Sequence, residues 1–251
     1  MNRLSAFAWL FTGTSAGLLI FVNLLFVFNG FYFTGDTIFY TNYSFSSSPG
    51  NILPVFIKES ELWPPLTSII FNLLHMLPVS IMSQHKLYVF FVAISTIIAT
   101  FLVCSKLTTK KIEVVTITSL CLFSSLQALL FRSAIAEPLF VFLWMIAVYC
   151  LFNFLVSKKS FFLFLFILFA SLVPLARYTG VGVLFGFYAL LVIFYFFKFK
   201  SQKYSFYILV SAVLLSFVPI GLYLFKNLIT SGVIGRSGEI QSIQASPFFS
   251  S

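Results

Sequence analysis

The chain has 251 residues, of which 60% are hydrophobic, 20% aromatic and only 8% charged, so it lacks the polar surface to cover a water-soluble globule. Its formal net charge of +9 would point to nucleic acid in a soluble domain, but the lysines and arginines stand in short clusters between apolar runs, the pattern that orients membrane proteins. Composition therefore excludes a nucleic-acid-binding role and predicts an all-α, polytopic membrane helix bundle.

The first apolar run, Leu4 to Phe33, is longer than the hydrophobic core of a signal peptide and has no small-residue cleavage pattern after it, so an uncleaved anchor is expected. A spanning helix needs about 20 apolar residues. Runs meeting that length predict about seven spans, at 7–30, 87–105, 112–131, 138–156, 161–176, 179–197 and 205–225. Cys104, Cys121 and Cys150 all lie inside such runs and imply no disulfide or metal framework.

Between the first two spans lies a long first outer loop, 34–86. It contains Leu66 to Met82, which is short and holds Pro78. Leu66, Ile69, Ile70, Leu73, Leu74 and Leu77 recur at helical spacing, while Thr67, Ser68, Asn72 and His75 fall off that face. The pattern predicts an amphipathic juxtamembrane helix lying flat at the interface. With that helix flat and the N-terminus cytoplasmic, Arg3 and the clusters Lys106/Lys110/Lys111, Lys158/Lys159 and Lys198/Lys200/Lys203 all face inward. Every acid except Glu113 then faces outward. If the segment spanned instead, the lysine clusters would move outside, against the positive-inside rule. The expected location is thus the plasma (cell inner) membrane, multi-pass, with residues 1–230 forming the transmembrane module. The polar stretch 231–251 reads as an outer tail, the start of a further C-terminal part.

The outer polar residues are the candidates for chemistry. Asp36, in Gly35-Asp36-Thr37-Ile38-Phe39-Tyr40, suits either a helix cap or a general base. Glu137-Pro138 opens a span, where an acid and an early proline are favourable for structural reasons alone, yet it puts a second carboxylate on the same face as Asp36. Arg177-Tyr178-Thr179-Gly180 breaks a long apolar stretch. A turn there needs no arginine, whereas a guanidinium suits phosphate, whether on a substrate or on a lipid headgroup. Lys226-Asn227 closes the last span, and Arg132 stands ahead of Glu137. His75 and His85 lack metal-ligand spacing and read as interfacial; Asn42-Tyr43-Ser44 is a lone glycosylation pattern near chance level.

In this order the motifs resemble the N-terminal module of the GT-C superfamily of integral-membrane glycosyltransferases, particularly the protein O-mannosyltransferase and aminoarabinose-transferase-like branch. The resemblance rests on Asp36 after the first helix, Trp63-Pro64-Pro65-Leu66, Glu137-Pro138-Leu139-Phe140, Arg177-Tyr178-Thr179-Gly180, and Lys226-Asn227 followed by Gly232, Gly235 and Arg236. It departs from the family in having a single Asp36 where many members show an Asp-Glu pair, in using Glu137 where Asp is common, and in stopping at Ser251. The resemblance implies inverting transfer of a sugar from a polyprenyl-phosphate-linked donor to an acceptor lipid, glycan or protein at the extracytoplasmic face, among membrane lipids and with no nucleic acid. It implies Asp36 as the base, Arg177 with Lys226 or Arg132 on the donor phosphate, and Glu137 orienting the acceptor or holding a divalent metal; no cofactor is otherwise required. The alternative is a non-catalytic or truncated polytopic membrane protein, lipid-binding or transporter-like, although broken helices with midplane charges, usual in transporters, are not evident.

Overall fold

The computed structural model describes residues 35–45, 48–53, 64–108, 110, 113–114, 116–118, 135–194 and 203–231, and among them all regular structure is helical. The helices are α1 (Gly35–Phe45), α2 (Leu66–Leu74), α3 (Ile81–Leu107), α4 (Ala136–Ser157), α5 (Ser160–Ala176), α6 (Gly180–Phe194) and α7 (Lys203–Ser231). Among the described residues three helices are long and apolar enough to cross a membrane: α3, α4 and the part of α7 from Val210 to Ile229. The 27 residues of α3 rise about 40 Å, more than a typical hydrocarbon core of about 30 Å. Helices α5 and α6 are apolar but shorter. The expected span 7–30, most of 112–131 and the tail beyond Ser231 lie outside the described residues.

The segment Leu66–Met82 is not one helix. Helix α2 stops at Leu74 and α3 starts at Ile81, six residues before the expected span. Pro78 accounts for the break, since it has no N–H to donate and disfavours helical geometry at the residue before it. Ser80 then starts α3 afresh, its extended backbone letting the side-chain oxygen accept the Ser83 N–H at 3.3 Å.

Helix α2 also turns its polar side inward. Thr67, Ser68, Phe71 and Asn72 are buried, while Leu73 is exposed. The Asn72 amide donates to the carbonyls of Ser44 at 2.9 Å and Ser48 at 3.3 Å. The Ser44 carbonyl is one that the end of α1 leaves without an intrahelical partner, whereas the Ser48 carbonyl, beyond the helix, also accepts the Asn51 N–H at 3.0 Å.

Two tight turns join the later helices. Lys158 ends α4 in a left-handed conformation, φ 57°, with its N–H bonded to the Phe154 carbonyl at 2.8 Å; Gly or Asn is the commoner choice there. Between α5 and α6, Arg177 is extended, its N–H reaching the Val173 carbonyl, and the Gly180 N–H bonds back to the Arg177 carbonyl at 2.8 Å. Gly180 is required by space. A Cβ there would stand 2.7 Å from the backbone of Val173 and Pro174, and backbone cannot swing aside.

Helices α3 and α4 run parallel. Tyr88 lies at the start of α4, where its hydroxyl donates to the Ile135 carbonyl at 2.9 Å, whereas Lys106, near the other end of α3, sits 5.5 Å from the Tyr149 ring. Small buried residues, Ala147 on α4, Ala170 on α5 and Ala212 on α7, allow close helix approach, and Phe166 meets Phe187 edge-on across α5 and α6. Hydroxyls inside the apolar helices, such as Thr100 and Ser216, donate to the carbonyl four residues back.

Gly180→Ala is expected to lower the thermal unfolding midpoint in detergent, with an overpacking cost of about 1–3 kcal/mol. A midpoint equal to that of the parent protein would show that the α5–α6 turn can relax and that the close approach is dispensable.

Candidate functional site

The start of α4 and the end of α5 meet through one ion pair. Glu137 lies in the first turn of α4, where an acid also faces the positive end of the helix dipole. Arg177 is the extended residue that ends α5. The Arg177 guanidinium donates to the Glu137 carboxylate, and both side chains stay partly exposed. Forty residues apart in sequence, they fix where the two helix ends meet.

Helix α1 brings in the second carboxylate. Asp36 is in its first turn, partly exposed, and among the described residues no cation pairs with it. Tyr40 follows four residues later on the same face and is buried in the core with Phe71, Tyr88 and Leu139. Burial pushes the Tyr40 phenol well above the ordinary tyrosine range; the negative charges of Asp36 and then Glu137 push it further, while Arg177 opposes them. Tyr40 thus stands within electrostatic reach of all three charged groups, and it keeps its proton as a hydrogen-bond donor.

Helix α3 seats α1 through His85. Instead of the interfacial place expected of it, His85 is fully buried, because α3 begins early enough to carry it into the bundle. Its Nδ1 lies 2.7 Å from the Ile81 carbonyl, and its Nε2 lies 2.8 Å from the Thr41 hydroxyl oxygen. Thr41 in turn donates to the Thr37 carbonyl at 2.6 Å. The ring also packs against Phe71, with centroids 4.6 Å apart. The helix bearing Asp36 and Tyr40 is therefore held laterally by a bond to α3 and at its end by Asn72.

A second layer lies on the far side of Arg177. Burial raises the Tyr178 phenol, whose hydroxyl sits beside Tyr223 and Asn227 and within electrostatic reach of Tyr40. Lys226 lies 5.0 Å from the centre of the Tyr223 ring, a cation–π distance. It does not close its helix as expected, because α7 runs on to Ser231. Of the candidates from sequence, Glu137 and Arg177 are paired directly, Asp36 shares with them electrostatic reach of Tyr40, and Lys226 lies against Tyr223. Arg132 lies outside the described residues. Among those residues no group of three or more His, Cys, Asp or Glu side chains gathers as a metal site.

The sequence analysis gives Tyr40 and Tyr223 no role and places His85 at the interface rather than in the core. The spacing of four between Asp36 and Tyr40 was the available signal for the first. The others become visible only when helices separated in sequence are brought side by side. In comparisons with known proteins, the chain matches no family model, no curated protein and no solved structure.

Two outcomes follow from this geometry. Below the ordinary phenol pKa of 10.0, Tyr40 is protonated both folded and unfolded and contributes no pH dependence. Above it the unfolded chain ionises while the buried phenol does not, so stability is lost as pH rises, by about 1.4 kcal/mol per pH unit for each such group. Tyr40→Phe should make that alkaline loss shallower by one group, read from unfolding midpoints at several alkaline pH values. His85→Phe should speed amide hydrogen exchange across 37–45 while leaving 139–150 protected; equal protection of α1 in the variant would show that His85 does not hold it.

Proposed function

We propose that this chain is a multi-pass membrane glycosyltransferase of the GT-C type, moving a sugar from a polyprenyl-phosphate donor to an acceptor hydroxyl at the extracytoplasmic face. The observation that supports the reading is the gathering of Asp36, Glu137 and Arg177, from three separate stretches of an apolar chain, around Tyr40 at one end of the bundle. A purely structural helix junction would need the Glu137–Arg177 pair. It would not need a second carboxylate, partly exposed and without a cation among its described neighbours.

In the proposed reaction Asp36 accepts the proton of the acceptor hydroxyl as that oxygen bonds to the anomeric carbon. The bond from that carbon to the lipid phosphate breaks on the opposite face, inverting the centre, and the phosphate leaves with the electron pair. Arg177 stabilises that phosphate. Only one of its terminal nitrogens is engaged by Glu137, so the remaining N–H groups of the guanidinium fork are left for a second anion. Lys226 adds positive charge behind Tyr223, with Arg132 assisting, and Glu137 holds Arg177 in place and orients the acceptor. In this reading about seven helices span the membrane, the N-terminus is cytoplasmic, and α2 is the juxtamembrane helix of the outer loop.

A second reading, a non-catalytic membrane protein, is favoured by one observation: the Arg177 charge is already balanced within the fold. Proteoliposomes supplied with radiolabelled polyprenyl-phosphate sugar and membrane acceptors separate the two. Asp36→Asn should lower transfer by about 10²–10⁴-fold, the usual worth of a general base, with donor binding retained. Arg177→Ala should weaken donor binding by about 10–100-fold, the loss of a charged hydrogen bond of about 1.5–3 kcal/mol. Transfer undiminished by Asp36→Asn would remove Asp36 as the base, and donor binding indifferent to Arg177 would remove the glycosyltransferase reading.

A further inference from the structure

The end of the bundle opposite Glu137 and Arg177 carries a step between α3 and α4. Two contacts set the register of these helices: the Thr96 hydroxyl donates to the Pro138 carbonyl at 3.4 Å, and further along both helices Lys106 stands over the Tyr149 ring. Only Leu107 follows Lys106 in α3, whereas α4 continues from Tyr149 to Ser157, a further rise of about 10 Å. The face of α4 that meets α3 therefore runs on past its partner. Between Glu137 and its end, α4 places all its hydroxyl and amide side chains, Tyr149, Asn153 and Ser157, on that one line at four-residue spacing. One N–H of the Asn153 amide donates to the Tyr149 carbonyl at 2.9 Å; among the described residues its second N–H and its oxygen have no hydrogen-bond partner.

Cations bracket this polar line. Lys106, Lys110, Lys158 and Lys159 are all exposed, and Glu113, the acid at this end among the described residues, is taken by Lys110 at 2.9 Å. Lys106 lies 5.5 Å from the centre of the Tyr149 ring and Lys158 lies 6.0 Å from that of Phe154. An aromatic face holds an ammonium in place without neutralising it. The helix dipole favours a cation at the end of each helix, which explains the charges but not the amide and hydroxyls between them. Where α4 crosses a bilayer, Lys106 stands about 10 Å nearer the midplane than Lys158, and an ammonium at that depth requires an anion or water brought to it.

The surroundings of the step are apolar. Leu107 beside Lys106 is 60% exposed, Val156 beside Ser157 84% and Phe161 beyond the turn 65%. A small anion has no use for such neighbours, whereas an amphiphile uses both kinds. We propose that the step binds one anionic phospholipid of the surrounding leaflet, its phosphate between Lys106 and Lys158 with the Asn153 amide donating to it, and its acyl chains along Leu107 and Val156. The two lysine stems are flexible enough to bring both ammonium groups to one phosphate across the height of the step. A zwitterionic lipid fits less well, because its own cation meets the lysines.

The site is independent of sugar transfer and rests only on the membrane reading. The full chain, stripped of lipid in detergent, is titrated with phosphatidylglycerol or with phosphatidylcholine of the same acyl chains, and bound lipid is counted by native mass spectrometry. One phosphatidylglycerol is expected to bind at least tenfold more tightly than phosphatidylcholine. Lys106→Gln and Asn153→Leu should each weaken it about tenfold, the loss of a hydrogen bond to a charged group, while Lys106→Arg retains it. Lys158→Gln, on an exposed turn where folding is not at stake, should weaken it likewise, and Lys86→Gln at the opposite end of α3 should leave it unchanged. Equal affinity for the two lipids overturns the proposal. So does a preference that survives Lys106→Gln and Lys158→Gln, or one that Lys86→Gln lowers as much, since the attraction would then be diffuse. Displacement of the lipid by an equal concentration of glycerol phosphate overturns it too, because the step would then take a free anion. Failure of both lipids to bind overturns the membrane reading together with the site.

Discussion

The ion pair between Glu137 and Arg177 is the constraint on which this end of the molecule depends. Each residue sits at a helix terminus, Glu137 just inside α4 and Arg177 just past α5, and each would be expensive to leave alone against an apolar bundle. Joined, they fix the height at which α4 and α5 meet, which in turn sets the turn through Tyr178 to Gly180 and places α6 on the backbone of Val173 and Pro174. Partial exposure keeps the pair's own contribution to stability modest. Its importance is geometric: Tyr40, Tyr178 and, beyond them, Lys226 take their places around a guanidinium whose position is already decided.

The same economy governs the polar groups elsewhere. Asn72 supplies the missing donors at the end of α1, Gln84 supplies one to the α2–α3 turn, Tyr88 supplies one to the residue ahead of α4, and His85 links α3 to Thr41. In the first three cases a side chain satisfies a backbone carbonyl at the loose end of an element, and in the fourth it ties the middle of one helix to another. A chain with so little charge has few ways to specify how its helices register, because apolar faces slide past one another at small cost. Hydrogen bonds at the helix ends provide that specificity where hydrophobic contact, which lacks direction, cannot.

These two features explain what the sequence reveals and what it hides. Long apolar stretches announce α3, α4 and α7 directly, because length and hydropathy are local properties. The lone charges that interrupt them, Asp36, Glu137, Arg177 and Lys226, announce one polar end through their sidedness. Pro78 and Ser80 are equally legible as a stop and a cap, but the amphipathic pattern of 66–82 runs across them as though it were a single helix. The orientation of α2 was not legible. Its apolar positions point partly outward and its polar ones inward, and periodicity identifies two faces without saying which one meets protein. The buried place of His85 was hidden because it depends on α1 lying across α3, forty-four residues away in the Thr41 contact.

In the proposed chemistry, the placement of Glu137 resolves a difficulty that a bare phosphate site would create. In that reading an arginine with no counter-charge at the level of the lipid headgroups would attract their phosphates as readily as the donor's. Engaging one terminal nitrogen with Glu137 holds the guanidinium plane still and lowers its net attraction for anions, while leaving donors aimed away from the carboxylate. A leaving phosphate gains most from this arrangement as its charge grows, because the donors need not reorganise at that moment. A headgroup of constant charge gains nothing further. On that argument, and within the proposed reaction, the carboxylate that neutralises Arg177 is what turns attraction for every phosphate into preference for the one being released.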